Sequence, residues 1–223
     1  MTVSRSGRCV VVDLDDTLYD EVDFVRSGYA AVAAFVHDRF GVDCSTILDR
    51  RLLDRGFQGA LEDAARTSAL PEGALASMID VYRTHTPYIR PREGARELIA
   101  ALKRRDGVVA CITDGRSVTQ RNKLAALGLS GIFDPLLISG ETGHAKPDPH
   151  NFREVMRRVS ATEYWYIGDN PAKDFVAPNA LRWATVGVRS PRGVHPQEVA
   201  AFPYDYRPRY QCTLADTLAM LGK

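Results

Sequence analysis

The feature that most constrains the fold is an alternation of short, continuous apolar runs with segments of helical character. Apolar runs of this length, without polar alternation, are typical of strands that are buried on both faces of a sheet. Alternation of such strands with helices predicts an α/β fold with a parallel, doubly wound sheet. The predicted strands cover residues 9–14, 107–113, 134–139, 164–169 and 183–188, and the clearest helices cover 117–129 and 150–160.

One long interval interrupts this alternation between the first two predicted strands. It contains about ninety residues with amphipathic, helical patterns and no strong strand signal, which is too long for one crossover helix. We therefore predict an inserted helical domain over residues 20–88, with 1–19 and 89–223 forming the domain that contains the sheet. After Pro191 the pattern predicts a loop with a short helical piece, followed by a terminal helix over 213–223.

Composition and charge exclude several classes of protein. The chain has 223 residues, of which 45% are hydrophobic and 26% charged, as expected for a folded globular protein. The formal net charge is +1 and the basic residues are dispersed, so we expect no nucleic-acid partner. The polar N-terminus precedes an apolar segment that is too short for a signal peptide or a membrane span. We therefore expect a cytoplasmic protein with no membrane partner.

Polar residues follow the predicted strands at the points where the strands end. Carboxyl ends of parallel strands meet at one edge of the sheet, where ligands of such folds bind. We therefore expect these side chains to form one site. They are Asp13 and Asp15 after the first strand, Thr113, Asp114 and Gly115 after the second, Lys146 after the third, and Asp169 and Asp174 after the fourth.

These residue types suit phosphoryl transfer. A carboxylate such as Asp13 can attack phosphorus, and a second acid two residues on, Asp15, can protonate the departing oxygen. Several carboxylates in one pocket require a cation, and a set of oxygen ligands favours Mg²⁺. Thr113 and the backbone at Gly115 precede a helix, which predicts an anion site, and Lys146 adds fixed positive charge.

Four short motifs carry a resemblance to a known family. VVDLDDTL, ITDG, AKPD and IGDNPAKD resemble the four ordered motifs of the haloacid dehalogenase superfamily, over a core from about Arg8 to Val188. The resemblance is to the phosphatase type of this superfamily. It implies a Rossmann-like core, Mg²⁺ as cofactor, and an inserted helical cap of the C1 type, which residues 20–88 fit.

The resemblance also implies roles for single residues. Asp13 matches the nucleophile, Asp15 the general acid and base, Thr113 the hydroxyl that binds phosphate, and Lys146 the lysine that holds the nucleophile and the phosphoryl group together. Asp169 matches the acid that ligates magnesium.

Asp174 matches a second acid that orders a metal-bound water or pairs with the lysine. The implied magnesium residues are thus Asp13, Asp15 through its backbone carbonyl, Asp169 and Asp174. Asp114 stands where asparagine is common in the family, and we expect it to face away or to pair with Arg116. Arg116, just beyond the turn, is a further candidate for phosphate binding.

The predicted function is a magnesium-dependent phosphatase that acts on a small phosphorylated metabolite through an aspartyl-phosphate. Members of the superfamily that cleave carbon–halogen bonds lack the second aspartate of the first motif, and this chain has Asp15. Two alternatives stay open from the sequence. One is a phosphomutase or phosphotransferase that acts on a sugar phosphate, and the other is a non-enzymatic, ligand-binding protein with the same fold.

Overall fold

The core of the fold is a six-stranded parallel sheet with the strand order β3-β2-β1-β4-β5-β6. A computed structural model describes residues 6–54, 57–104, 107–189, 192–194 and 198–221. The strands are β1 (Ser6–Val12), β2 (Val108–Thr113), β3 (Leu136–Ile138), β4 (Ala161–Gly168), β5 (Ala184–Val188) and β6 (Tyr210–Cys212). The predicted α/β fold with a parallel, doubly wound sheet is confirmed.

The sheet has one strand that the sequence pattern did not predict. β6 pairs in parallel with β5, with Tyr210 opposite Val186, in a segment for which we predicted loop and a short helical piece. β6 has three residues, is only partly buried and lies at the edge of the sheet, so it lacks the apolar run of the other strands. The helical pieces of this tail are short 3₁₀ turns, at Val199–Ala201 and Tyr204–Tyr206.

Helices cover both faces of the sheet because the strand side chains alternate between them. In β1, Val10 and Val12 belong to the apolar core on one face, and Cys9 and Val11 belong to the core on the other. The helices of the first face are α5 (Ala95–Arg104), α6 (Ser117–Ala126) and α10 (Leu214–Leu221). The second face is covered by α8 (His150–Arg158) and α9 (Val176–Ala180), and the short α7 (Ser139–Thr142) follows β3.

Four helices occupy the long interval after β1, and we call residues 21–84 the helical insert. They are α1 (Glu21–Phe40), α2 (Ser45–Leu53), α3 (Ala60–Thr67) and α4 (Ala74–Thr84). The insert has an apolar core of its own, which includes Val32, Val36 and Met78. α1 and α4 pack so closely that a Cβ built at Gly28 would lie 2.5 Å from the ring of Tyr82.

The two connections between the insert and the sheet run side by side. Tyr19, on the way in, forms an antiparallel bridge with Pro91, on the way out. The N–H of Arg92 donates to the carbonyl oxygen of Leu18 at 2.8 Å. The chain therefore leaves and re-enters the core at one place.

No helix within the described ranges has both the length and the apolar character that a membrane crossing requires. The longest helix, α1, has 20 residues but carries charged side chains at several positions, including Glu21, Asp23 and Arg39. Its buried face packs inside the insert, as expected for an amphipathic helix of a globular protein.

Replacing Phe152 tests the apolar core between the sheet and the helices α8 and α9. Phe152 is fully buried on α8 and packs edge-on against Tyr166 at 5.1 Å and Trp183 at 5.6 Å between ring centroids. Phe152→Ala is expected to lower the free energy of unfolding in urea by about 3–5 kcal/mol, because it leaves a cavity. Met156→Ala, on an exposed part of the same helix, is expected to cost about 0.5 kcal/mol. Equal costs for the two variants would contradict this packing.

Candidate active site

The central strands bring three of the four motifs to one edge of the sheet. β1 lies between β2 and β4, so Asp13 after β1 has Thr113 at the end of β2 on one side and Asp169 after β4 on the other. The N–H of Asp13 donates to the carbonyl oxygen of Ile167 at 2.8 Å, which continues the β1–β4 ladder by one residue. The backbone of Asp13 is therefore fixed by the sheet itself.

Lys146, from the loop before α8, supplies a buried positive charge at the centre of this edge. Its Nζ atom lies 2.9 Å from Oδ1 of Asp13 and 2.7 Å from Oδ1 of Asp174, and donates to the Tyr166 hydroxyl at 3.0 Å. Burial opposes the charge, but the carboxylates of Asp13 and Asp174 outweigh it and raise the pKa of Lys146 well above its usual value. Lys146 is therefore a permanent cation in this site.

Three carboxylates meet beside Lys146. Asp13, Asp169 and Asp174 each have a carboxylate oxygen within 4.8 Å of those of the other two. Burial raises the pKa of Asp13 to about 7, with Asp174 adding to the shift and Lys146 opposing it. Burial also raises the pKa of Asp169, and the charges of Asp174 and Asp13 raise it further. The raised pKa values of Asp13 and Asp169 mean that Lys146 alone does not offset the burial and mutual repulsion of the three carboxylates.

The surroundings of the cluster fit a hard cation. Asp174 is held by the N–H groups of Asp169 at 3.1 Å and Asn170 at 2.8 Å, both donating to its Oδ2. Oδ2 of Asp169 is buried and has no hydrogen-bond partner among the described residues. A buried carboxylate oxygen without a donor is costly unless something binds it. Oxygen atoms alone form this donor set, which Mg²⁺ prefers.

Asp15 has a different environment, although it is only two residues from Asp13. Its carboxylate lies outside the three-carboxylate cluster and accepts from Lys123 Nζ at 2.6 Å, from Gln120 Nε2 at 2.8 Å, and from the hydroxyl of Tyr19. Burial alone would raise the pKa of Asp15, but the charge of Lys123 and these hydrogen bonds lower it below its ordinary value. The expected role of Asp15 as a magnesium ligand concerns its backbone carbonyl and stays a prediction.

Asp16 holds the turn between β1 and the insert. It is fully buried in the left-handed conformation, with φ of 50°, and its carboxylate accepts from the N–H of Glu21 at 2.9 Å and of Val194 at 2.6 Å. The first of these bonds caps the start of α1. Three neighbouring aspartates thus have three separate environments.

Thr113 is fully buried at the end of β2, and its hydroxyl is oriented by a side chain of α6. Its Oγ1 atom accepts a hydrogen bond of 2.6 Å from Gln120 Nε2, which leaves the hydroxyl proton to donate to a further acceptor. Gly115 adopts φ of 137°, and a Cβ built there would lie 3.1 Å from Gln120, so this position requires glycine. The N–H of Gly115 is already engaged, since it donates to Ser139 Oγ at 2.9 Å.

Asp114 does not pair with Arg116, one of the two arrangements we expected. Its Oδ1 atom accepts from the N–H of Lys146 at 3.1 Å, and its Oδ2 atom lies 3.3 Å from Nζ of Lys173. Lys173, from the loop after β4, thus forms the ion pair with this carboxylate. Asp114 therefore ties together the loops that carry Lys146 and Lys173, while Arg116 is exposed at the start of α6.

The sequence did not single out Gln120, Lys123 and Lys173. Gln120 and Lys123 are one helical turn apart, and with Leu124 they form a buried face of α6. A sequence signal for them exists, because polar residues placed on the buried face of a helix need partners. Lys173 stands beside Asp174 within the last motif.

Replacing Lys146 tests the charge balance of the site. Lys146→Met leaves Asp13 and Asp174 buried without their cation, so we expect a loss of about 3–5 kcal/mol in the free energy of unfolding, measured in urea with a chelator present. Lys173→Met removes a partly exposed ion pair and is expected to cost at most about 1 kcal/mol. A larger loss for Lys173→Met would contradict the central position of Lys146.

Comparison with known proteins identifies related sequences and folds. A model of the haloacid dehalogenase-like hydrolases matches residues 8–181. The phosphoserine phosphatase of Thermus thermophilus is 36% identical over 156 residues, which are 67% of this chain and 59% of that protein. The glyceraldehyde 3-phosphate phosphatase of Methanocaldococcus jannaschii is 28% identical over 190 residues, which are 80% of this chain and 83% of that protein.

The fold has counterparts among solved structures. The crystal structure of a HAD phosphatase from Thermococcus onnurineus superposes with a TM-score of 0.63 and 17% sequence identity, covering 96% of this chain and 98% of that one. At this identity the similarity concerns the fold. It extends over the helical insert as well as the sheet, because almost the whole chain is covered.

Proposed function

Because the chain belongs to the haloacid dehalogenase-like hydrolase family, we propose that it is a magnesium-dependent phosphatase that works through an aspartyl-phosphate. The family resemblance predicted from the four motifs is confirmed by the matching family model, which spans residues 8–181. Two of its relatives are phosphatases of small metabolites, which supports an enzyme that hydrolyses phosphoric monoesters.

The observation that carries this proposal is the contact of Lys146 with Asp13 beside the acidic cluster. A carboxylate nucleophile must approach a phosphoryl group that is itself negatively charged, so fixed positive charge is needed at the point of attack. Lys146 provides one such charge at 2.9 Å from Asp13. Asp13, Asp169 and Asp174 would hold Mg²⁺, which when bound screens the phosphoryl oxygens from the attacking carboxylate.

In the first step, a carboxylate oxygen of Asp13 bonds to phosphorus and the ester P–O bond breaks. The departing oxygen takes a proton from Asp15 and leaves as an alcohol, and Asp13 becomes an aspartyl-phosphate. In the second step, Asp15 takes a proton from water as the water oxygen bonds to phosphorus and the bond to Asp13 breaks. The hydroxyl of Thr113 and the ammonium of Lys146 bind the phosphoryl oxygens in both steps.

We propose that the substrate is a small phosphorylated metabolite. We also propose that residues 20–88, which include the helical insert, form a cap over the site. Closure of such a cap excludes bulk water and selects the substrate. The relatives act on phosphoserine and on glyceraldehyde 3-phosphate, so these two compounds come first in a substrate panel. The panel extends to sugar phosphates and nucleotides.

Asp13→Asn tests the nucleophile. We expect it to lower magnesium-dependent phosphate release by about 1,000-fold or more, because the amide cannot form the covalent intermediate. The measurement is release of inorganic phosphate over the panel, together with 4-nitrophenyl phosphate. Asp38→Asn, an exposed aspartate on α1, is the matched control and should retain full activity.

Full activity of Asp13→Asn would refute the assignment. If the protein were a phosphomutase, the wild type would release little phosphate, because it would return the phosphoryl group to another hydroxyl of the substrate. Phosphorus NMR of the wild-type reaction would then show an isomeric phosphate ester with little free phosphate.

Asp169→Asn tests the metal. Wild-type activity should disappear with chelator and return with Mg²⁺, and the variant should need about 10-fold more Mg²⁺ or more, since a ligand with a full charge is lost. Mg²⁺ should also raise the melting temperature of the wild type more than that of Asp169→Asn, because binding to the folded state stabilises it. Equal melting shifts in the two proteins would place the ion elsewhere.

A further inference from the structure

Helix α6 presents two buried polar side chains toward the site. Gln120 is 1% exposed and Lys123 is 4% exposed, and they lie one turn apart on the same face of the helix. A lysine that is almost completely buried must have its charge matched. Lys123 forms its ion pair with Asp15, with 2.6 Å between Nζ and Oδ1.

The two oxygens of the Asp15 carboxylate have unequal surroundings. Oδ1 accepts from both Lys123 Nζ and the hydroxyl of Tyr19, whereas Oδ2 accepts only from Gln120 Nε2 among the described residues. Each carboxylate oxygen has two lone-pair positions. Oδ1 is therefore filled, and Oδ2 is the oxygen with a position left for the proton that Asp15 exchanges.

We propose that Lys123 is a positioning residue that fixes the carboxylate of Asp15 so that Oδ2 faces the departing oxygen of the substrate. This inference rests on the proposed function, because it assigns Asp15 the proton transfer described above. In that transfer the proton passes from Oδ2 of Asp15 to the leaving oxygen as the P–O bond breaks. Lys123 itself transfers no proton and stays bound to Oδ1.

The position of Lys123 depends on the helical insert. Its Nζ atom lies 4.3 Å from the centroid of the Phe24 ring on α1, within the range of a cation–π contact. Two neighbours of Lys123 on α6 also bind the end of α4, since Thr119 Oγ1 donates to the carbonyl of Arg83 at 2.9 Å and Asn122 Nδ2 to that of Thr84 at 3.0 Å. Seating of the insert on α6 therefore covers and orients Lys123.

The test uses the requirement for a proton on the leaving group. An alkyl phosphate needs its departing oxygen protonated, whereas 4-nitrophenolate leaves without a proton at neutral pH. Lys123→Met should lower kcat/KM by about 100-fold for the alkyl phosphate that gives the highest Asp13-dependent rate in the panel. It should change kcat/KM for 4-nitrophenyl phosphate by less than about 3-fold, because that step does not use Asp15.

Two control variants complete this comparison. Lys103→Met, an exposed lysine on α5, should leave both values unchanged. Tyr19→Phe removes the other donor to Oδ1 and keeps the aromatic ring, so it should disturb folding less. It should also lower kcat/KM for the alkyl phosphate more than for 4-nitrophenyl phosphate. Circular dichroism checks that each variant is folded. If Lys123→Met does not fold, the test is made with Tyr19→Phe.

A double-mutant cycle shows whether Lys123 acts through Asp15. In an Asp15→Asn background the general acid is already absent, so adding Lys123→Met should change kcat/KM for the alkyl phosphate by less than about 2-fold. A merely structural role would multiply the two losses. Multiplied losses, or an equal loss for both phosphates with either single variant, would overturn the inference.

Failure of the proposed function has a separate signature. If the proposed function is wrong, the wild type and Asp13→Asn will release phosphate equally, and no Lys123 variant is needed to see this. The Lys123 inference fails where Asp13 is required for release and either the losses multiply in the double-mutant cycle or the choice of leaving group makes no difference to the variants.

Discussion

The ammonium of Lys146, held between Asp13 and Asp174, is the interaction on which the site depends. These residues come from three loops that are far apart in the sequence, and the parallel sheet brings them together because its central strands all end at one edge. Bringing several carboxylates to a buried edge is unfavourable without a cation. The fold therefore supplies a lysine from one of these three loops, and it leaves a buried oxygen of Asp169 that has no hydrogen-bond partner among the described residues and could bind a metal.

Charge in this site is divided into two compartments. Asp13, Asp169 and Asp174 form a region around Lys146, where burial, together with repulsion between the carboxylates, raises the pKa of Asp13 and Asp169. Asp15 is turned toward α6, where Lys123 and two neutral donors hold it. The division suits the two tasks of the proposed reaction, since attack on phosphorus needs positive charge beside Asp13, and proton exchange needs a second carboxylate that lies outside the cluster around Lys146.

The features that the sequence predicted are those with a local pattern, such as the apolar runs of the strands. The features that it did not predict depend on how distant segments pack together. The long strands were predictable from their apolar runs, and the edge strand β6 was not, because three partly buried residues give no such run. The positions of Asp13, Thr113 and Asp169 at strand ends were predictable from the apolar runs that precede them. Gln120 and Lys123 were not, because their burial follows from how α6 and Phe24 of the insert pack together. The partner of Asp114 likewise depends on the position of another loop.

The paired connections of the insert have a consequence for how such proteins vary. Leu18 and Arg92 are joined by a backbone hydrogen bond, so the polypeptide closes on itself at the base of the insert. The intervening residues form a side branch with an apolar core of their own, and the strand order of the sheet does not depend on their length or content. A sheet of this kind can therefore accept side branches of different size at this one point without a change in its strand order.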